Sequence, residues 1–387
     1  MSSVYLREAK LLLAGAAAYS MSTLFSAMKP VLLTRFVDEN GWSNALAGLA
    51  VAMPFVGIAC AALIAPAASR RYSLRTLALA LGSVLVLSEI LSALNPGSLL
   101  VVLPLQLAGG IAVGVLMGAG SRIVATRAKP GALFGAIDMV AVLLMSSMIA
   151  AVGAAVGFAG LAGGYNVAAV IAFALTLLML PFNEGPAASG DSSASKPRAI
   201  TARALAVVSM GVVFVTCSGL GFTYMFSVAQ SLGISYASAG AGIGALLLVS
   251  ALACLAGGWV SSRFGPTRPL AGAFLACALG WYWVIHAPSP SVFYIALVPA
   301  VFSLQFNFPV LLDLAGSLDQ DGQWGAIAAP LQTSGFAWAA ILAGTLVGAF
   351  GLAAIPIATG AGMCVCLLLL WIASSDQTPA AAPDRAR

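Results

Sequence analysis

Charge is scarce in this chain. Only 7% of its 387 residues are Asp, Glu, Lys or Arg, 61% are hydrophobic, and the mean hydropathy is +1.03. Soluble domains carry about 25% charged residues, so a water-soluble fold is excluded. Histidine is scarcer still, with the single copy His286, and neither HExxH nor GxSxG occurs. An enzyme needs a metal or a nucleophile-base constellation, and this composition offers none. The six cysteines, Cys60, Cys217, Cys254, Cys277, Cys364 and Cys366, all fall in apolar runs. Cys364-x-Cys366 with one histidine is poor metal-ligand material. The thiols are read as packing groups, and no disulfide, metal or cofactor is expected.

What is present is apolar sequence in about a dozen blocks of roughly 20 residues, the length that crosses a hydrocarbon core as helix. Spans are placed near residues 11–33, 45–66, 74–94, 98–120, 133–157 and 163–182, then 204–230, 237–260, 268–286, 291–312, 325–349 and 352–374. The least distinct separations are 158–164 and Gly351. A signal peptide is an alternative reading of Arg7, Lys10 and "LLLAGAAAYS". The apolar run continues to Leu33, however, about twice the usual core of such a peptide, so it reads as an uncleaved first helix.

All of the 17 basic residues except Lys29 and Arg35 fall in tails and loops on one side of this layout. Positive loops stay in the cytoplasm, so both termini are expected there, in a bacterial-type inner membrane. The sequence pI of about 9.0 therefore reports topology and gives no reason to invoke nucleic acid.

One long polar stretch, "PFNEGPAASGDSSASKPRAITAR", divides the chain. It implies a six-span unit over 1–182, a cytoplasmic linker over 183–203, a second six-span unit over 204–375 and a tail over 376–387. The halves repeat faintly. "LFSAMK" at 24–29 matches "MFSVAQ" at 225–230, "WSNALAG" at 42–48 matches "ISYASAG" at 234–240, and "APAASRRYSLR" at 65–75 lies opposite "GWVSSRFGPTR" at 258–268.

The last pair carries a resemblance. It is similar to the loop motif of the major facilitator superfamily, Gly-x-x-x-Asp-Arg-x-Gly-Arg-Arg, found after the second span and echoed after the eighth. The second copy keeps Gly258, Arg263, Gly265 and Arg268, with Ser262 at the aspartate position. The first keeps Arg70 and Arg75 but has Ala65, Ser69 and Tyr72 at the glycine, aspartate and second glycine positions. In the family this loop helps latch the halves, so losing both carboxylates implies a weaker or differently built latch. The resemblance implies an all-α membrane protein of 12 transmembrane helices in two pseudo-symmetric six-helix bundles, with a substrate site between them lined by spans 1, 4, 7 and 10 and completed by spans 2, 5, 8 and 11. It also implies rocking of one bundle against the other and, by default, coupling to protons. Two family signatures are missing. Gln106 stands four residues before Gly110, where an arginine is usual, and span 5 has Gly153 and Gly157 without a Gly-Pro signature. Both argue against a typical drug-proton antiporter.

Ionisable residues inside the spans are few, and each costs a few kcal/mol on insertion scales. Lys29 lies about 18 residues into the first span, roughly 27 Å along it at 1.5 Å per residue. It reads either as a lysine snorkelling to the outer headgroups or as a cavity cation for an acidic substrate or a protein carboxylate. Gln230 holds the equivalent repeat position. Glu89 reads as a partner for Lys29, a protonated carboxyl, or a proton carrier. Asp138 reads as a partner for Arg122, Arg127 and Lys129, or as the coupling carboxylate. Asp313, with Asp319 and Asp321, is expected to pair with Arg263 or Arg268 across a gate that also involves Arg70 and Arg75.

Candidate cavity residues are Tyr19, Phe25, Gln106, Tyr224, Phe226, Gln230, Gln305, Asn307, Gln332 and Trp338, with Lys29. This mixture suits a solute with an apolar or aromatic body and a few hydrogen-bonding groups. The lysine points to a carboxylate. The reading is a monomeric secondary active transporter of a small amphipathic organic solute, such as an organic or aromatic acid, partnered by protons and the lipid bilayer. Efflux of neutral hydrophobic compounds, or a passive uniporter, is the alternative. A sensor would need an extra folded domain, for which linker and tail leave no room.

Overall fold

A computed structural model describes residues 3–125, 130–182, 201–318 and 323–375. The described residues form helices and no strand: α1 (Ser3–Asn40), α2 (Asn44–Arg71), α3 (Leu74–Leu94), α4 (Leu99–Ala125), α5 (Pro130–Met179), α6 (Ala202–Ser231), α7 (Tyr236–Phe264), α8 (Thr267–Ile285), α9 (Pro290–Gly316), α10 (Gln323–Phe350) and α11 (Ala354–Ser375). The ten helices α2 to α11 are long and apolar enough to cross a membrane. The linker segment 183–200 and the tail 376–387 lie outside the described residues.

The expected spans map onto these helices, with α5 holding two of them. Ala159 and Gly160 leave helical geometry, and Gly160 has φ +61°, a left-handed backbone that favours glycine. That bend returns the chain, so α5 is two rods packed back on each other. The indistinct separation at Gly351 is likewise a true break, with φ +75° between α10 and α11. α1 is longer than its apolar run, continuing through Arg35, Asp38 and Glu39 to Asn40.

Local signals explain the turns and the repeat. Ser43 and Ser235, at matching places in the second repeated segment, both cap a following helix by accepting from Leu46 N and Ser238 N. Lipid gives no hydrophobic drive between helices, so close approach depends on small residues. Gly110 and Gly114 bring α4 against α2 so tightly that a Cβ at either would meet the backbone of Pro54 or Ile58.

α1 to α5 form one bundle and α6 to α11 the other. They meet along α2 with α10, α5 with α7 and α1 with α6. Met179 and Ala202 end on what we call the linker side, and Asn40, Ser231 and Tyr236 on the far side.

Candidate functional site

Among the described residues, the seam between the bundles contains one cation without a polar partner. Lys29 on α1 is 1% exposed, and its Nζ has no hydrogen-bond partner. Around it stand three aromatic rings, Phe336 of α10 at 4.6 Å from the ring centre, Phe55 of α2 at 5.7 Å and Phe222 of α6 at 5.8 Å. One ring comes from the first bundle and two from the second, so the cage exists only while the bundles are together. Phe336 also packs on Phe55 at 5.5 Å and on Phe222 at 6.3 Å. Ring faces attract a cation by about 2 kcal/mol when desolvated, which offsets only part of the several kcal/mol that burying an unpaired charge costs. Lys29 does not snorkel, because its ammonium is enclosed by protein rather than directed to a headgroup.

Beside Lys29 is a cavity of about 10 Å³, lined among others by Phe25, Lys29, Phe36, Gln106 and Tyr165. That is about the room of one water. Behind it, Gln106 Nε2 donates to Glu89 Oε1 and to Ser92 Oγ, both at 3.2 Å. Glu89 is fully buried and its second oxygen has no partner. It does not pair with Lys29, contrary to one sequence expectation, since Gln106 takes its hydrogen bond from the neighbouring helix.

Asp138 is buried on α5, where it meets the Cys254 thiol of α7 across the seam, and its Oδ2 lacks a hydrogen-bond partner. Arg127 and Lys129, expected partners, lie outside the described residues, and nothing is described of the Arg122 side chain. Tyr19 packs edge-on to Phe308 of α9 at 6.4 Å, and its hydroxyl is buried without a partner. Gln305, Asn307 and Gln332 are buried, and both side-chain polar atoms of Asn307 and the Nε2 of Gln332 are unpaired. Unpaired buried polar atoms are uncommon and costly, and here they recur in both bundles.

Several expected residues do other work. Gln230 donates to the Ile234 carbonyl at 2.6 Å and closes the α6–α7 turn. Trp338 is 55% exposed, on the same outward stripe of α10 as Leu342 and Thr345, so it leaves the cavity set. Tyr224 donates to Asn44 Oδ1 at 3.2 Å, a far-side contact between the bundles, and Phe226 stacks on Tyr236 at 6.2 Å within the second bundle. Asp313 makes no ion pair with Arg263 or Arg268. All three are exposed, as is Arg75, and Arg263 lies over the rings of Trp259 and Phe264. Among the described residues the expected gate pairing is therefore not formed. Asp319 and Asp321 lie outside the described residues, and of Arg70 only its place at the end of α2 is described.

Sequence reasoning missed the cage itself. Phe55, Phe222 and Phe336 look like any membrane phenylalanine in one dimension. The one available signal was their place on helices expected to border the cavity. It also missed the far-side cluster. There Arg35 pairs with Glu39 at 3.1 Å, donates to the Val156 carbonyl at 3.0 Å and covers the Tyr236 ring at 4.7 Å. Tyr236 in turn donates to Asp38 Oδ2 at 2.9 Å, and Thr34 meets Ser227 at 3.0 Å.

Comparison with known proteins gives a consistent picture. A family model described as Major Facilitator Superfamily matches residues 11–329. Two similar solved structures are a D-xylose-proton symporter, at 18% identity over 96% of this chain and 98% of that one, and the human organic anion transporter MFSD10 (TETRAN), at 18% identity over 96% and 100%. Each superposes with a TM-score of 0.68. No curated protein sequence matches.

Proposed function

Since this chain belongs to the major facilitator superfamily, we propose that it is a secondary active transporter of a small amphipathic organic anion, an aromatic or aliphatic acid, with Lys29 as the counter-ion. One observation carries the reading: a fully enclosed ammonium, with no polar partner, held by rings from both bundles. A permanently unpaired buried charge is a stability cost that function explains best. An anion entering the seam supplies the missing charge, and the phenylalanines supply faces for an apolar body. Gln305, Asn307, Gln332 and Tyr19 offer hydrogen bonds to the rest of the solute.

Alternating access follows from the division of the cage. Rocking the bundles separates Phe55 from Phe222 and Phe336, so the anion's surroundings change with the side that is open. Glu89 and Asp138 are the proposed proton carriers, each buried with one oxygen unpaired. The proposed setting is a monomer in a bacterial-type inner membrane, both termini cytoplasmic, with functional units at 1–182 and 204–375. Of the two solved neighbours, one is described as an organic anion transporter and one as a proton symporter. At 18% identity that agreement is a likeness of fold, and the lysine carries the chemistry.

Purified protein in liposomes, offered a panel of aromatic and aliphatic acids together with neutral drugs, tests the reading. Counterflow of at least one acid, and its accumulation only under a pH gradient, is expected. Transport restricted to neutral compounds would turn the reading to efflux of hydrophobic drugs, and accumulation-free exchange would turn it to a uniporter.

A further inference from the structure

Away from the seam, the second bundle has a groove on its outer surface. It has a volume of about 430 Å³, and its lining includes Leu252 and Ala256 of α7, Gly272 and Ala276 of α8, and a floor of Phe302 and Phe306 of α9. Leu252 and Gly272 are exposed, so the groove opens to lipid. Beyond its linker-side end, the two helices that wall it each carry an arginine, Arg263 and Arg268. On α7, Leu252, Ala256, Trp259 and Arg263 fall at i, i+4, i+7 and i+11, one face of a helix, and Arg263 lies over the Trp259 ring at 5.6 Å. On α8, Arg268, Gly272 and Ala276 fall at i, i+4 and i+8. Both apolar stripes therefore run from the groove to a guanidinium on the linker side, beside the exposed ring of Trp259, a residue type enriched at membrane interfaces. Among the described residues no carboxylate forms an ion pair with either arginine, and the loop between them has Ser262 where its motif would place an aspartate.

We propose that this groove binds one anionic phospholipid, an acyl chain lying between α7 and α8 over Phe302 and Phe306 and the phosphate held by Arg263 and Arg268. The dimensions agree. From Arg268 to Ala276 is eight residues, about 12 Å of helix at 1.5 Å per residue, and one leaflet of hydrocarbon is about 15 Å deep. Arginine suits phosphate because its planar fork reaches two oxygens at once, and a basic pocket between membrane helices is the kind of feature that selects anionic headgroups. A zwitterionic lipid would fill the apolar part but bring a choline cation beside its phosphate, so its headgroup would leave the two guanidiniums without a net negative charge.

The test is native mass spectrometry of the full chain in detergent, equilibrated with equal amounts of phosphatidylglycerol and phosphatidylcholine of the same chains. The intact protein is expected to retain one phosphatidylglycerol in preference. The pair of changes Arg263→Gln and Arg268→Gln should reduce that preference roughly thirtyfold, the scale of two arginines at an anionic surface. Gly272→Leu, at a site where an added Cβ meets nothing within 4 Å, should fill the groove and reduce retention of the lipid several-fold with thermal unfolding unchanged. Equal retention of both lipids by the unaltered protein, or a preference that survives loss of both arginines, overturns the proposal. Retention of the lipid that is undiminished in Gly272→Leu also overturns it, because no chain is then seated between the helices. Should the double variant fail to fold, each single arginine variant is expected to lose roughly fivefold, and an unchanged preference in both has the same overturning force.

Discussion

Two places along the same seam treat charge in opposite ways. At the far side the charges of Arg35, Asp38 and Glu39 are paired within the protein: the guanidinium has a carboxylate, a carbonyl and a ring, with its Nε alone unbonded, and each carboxylate has a donor. Deeper on the same helix, Lys29 has rings and no anion. The cluster whose charges are paired within the protein is suited to holding a conformation, since it ties α1 and the bend of α5 to Tyr236 of the other bundle. The incomplete one is suited to a ligand, because something from outside must finish it. Position along one helix thus separates the proposed latch from the proposed site.

Variants can break this contrast or sharpen it. The largest effect is expected at the lysine: Lys29→Gln should lower uptake of the acid about a hundredfold or more, the 3–5 kcal/mol scale of stranding one member of a buried pair, with expression and thermal unfolding intact. Uptake within a few-fold of the unaltered protein would remove the lysine from the site. Asp138→Asn comes next, with a split outcome. Exchange across proteoliposomes should persist while gradient-driven accumulation disappears, and full accumulation by this variant would pass the coupling role to Glu89, where Glu89→Gln is read in the same way. Phe336→Leu keeps an apolar side chain but removes the nearest ring, so the apparent affinity for the anion should change by about tenfold, within the range of a desolvated cation–π contact. The smallest effect is expected at the latch. Tyr236→Phe removes one hydrogen bond to Asp38, worth about 1.5 kcal/mol at the low end for a charged acceptor. It should raise labelling of a cysteine placed at Ser227 roughly tenfold or less, and leave the affinity for the acid unchanged.

Much of the fold was legible because it follows from repetition of a single physical demand. A bilayer-length apolar run must be a helix, because lipid offers its backbone no other partner. The repeat of "WSNALAG" and "ISYASAG" proved to be a repeat of helix caps, Ser43 and Ser235, which is local chemistry that sequence records well. The site was legible only in part. Lys29, Glu89 and Asp138 stood out since charge in an apolar run is conspicuous. Which partner each has depends on helix rotation, and one sequence does not give rotation. Gln230 illustrates this: its repeat position matches Lys29, yet it turns to the Ile234 carbonyl because α6 ends there while α1 continues another turn and more. Trp338 shows the same limit, falling on the outward stripe of a cavity-bordering helix. The three phenylalanines of the cage have no polar signature, and only their convergence from α2, α6 and α10 gives them meaning.

Binding to purified protein probes the lysine without transport, coupling or membrane potential. An organic acid that the protein carries and its uncharged amide can be compared by thermal unfolding in the unaltered protein and in Lys29→Gln. The account predicts strong stabilisation of the unaltered protein by the acid, little by the amide, and equal, weak effects of both on the variant. Undiminished stabilisation of Lys29→Gln by the acid would contradict it.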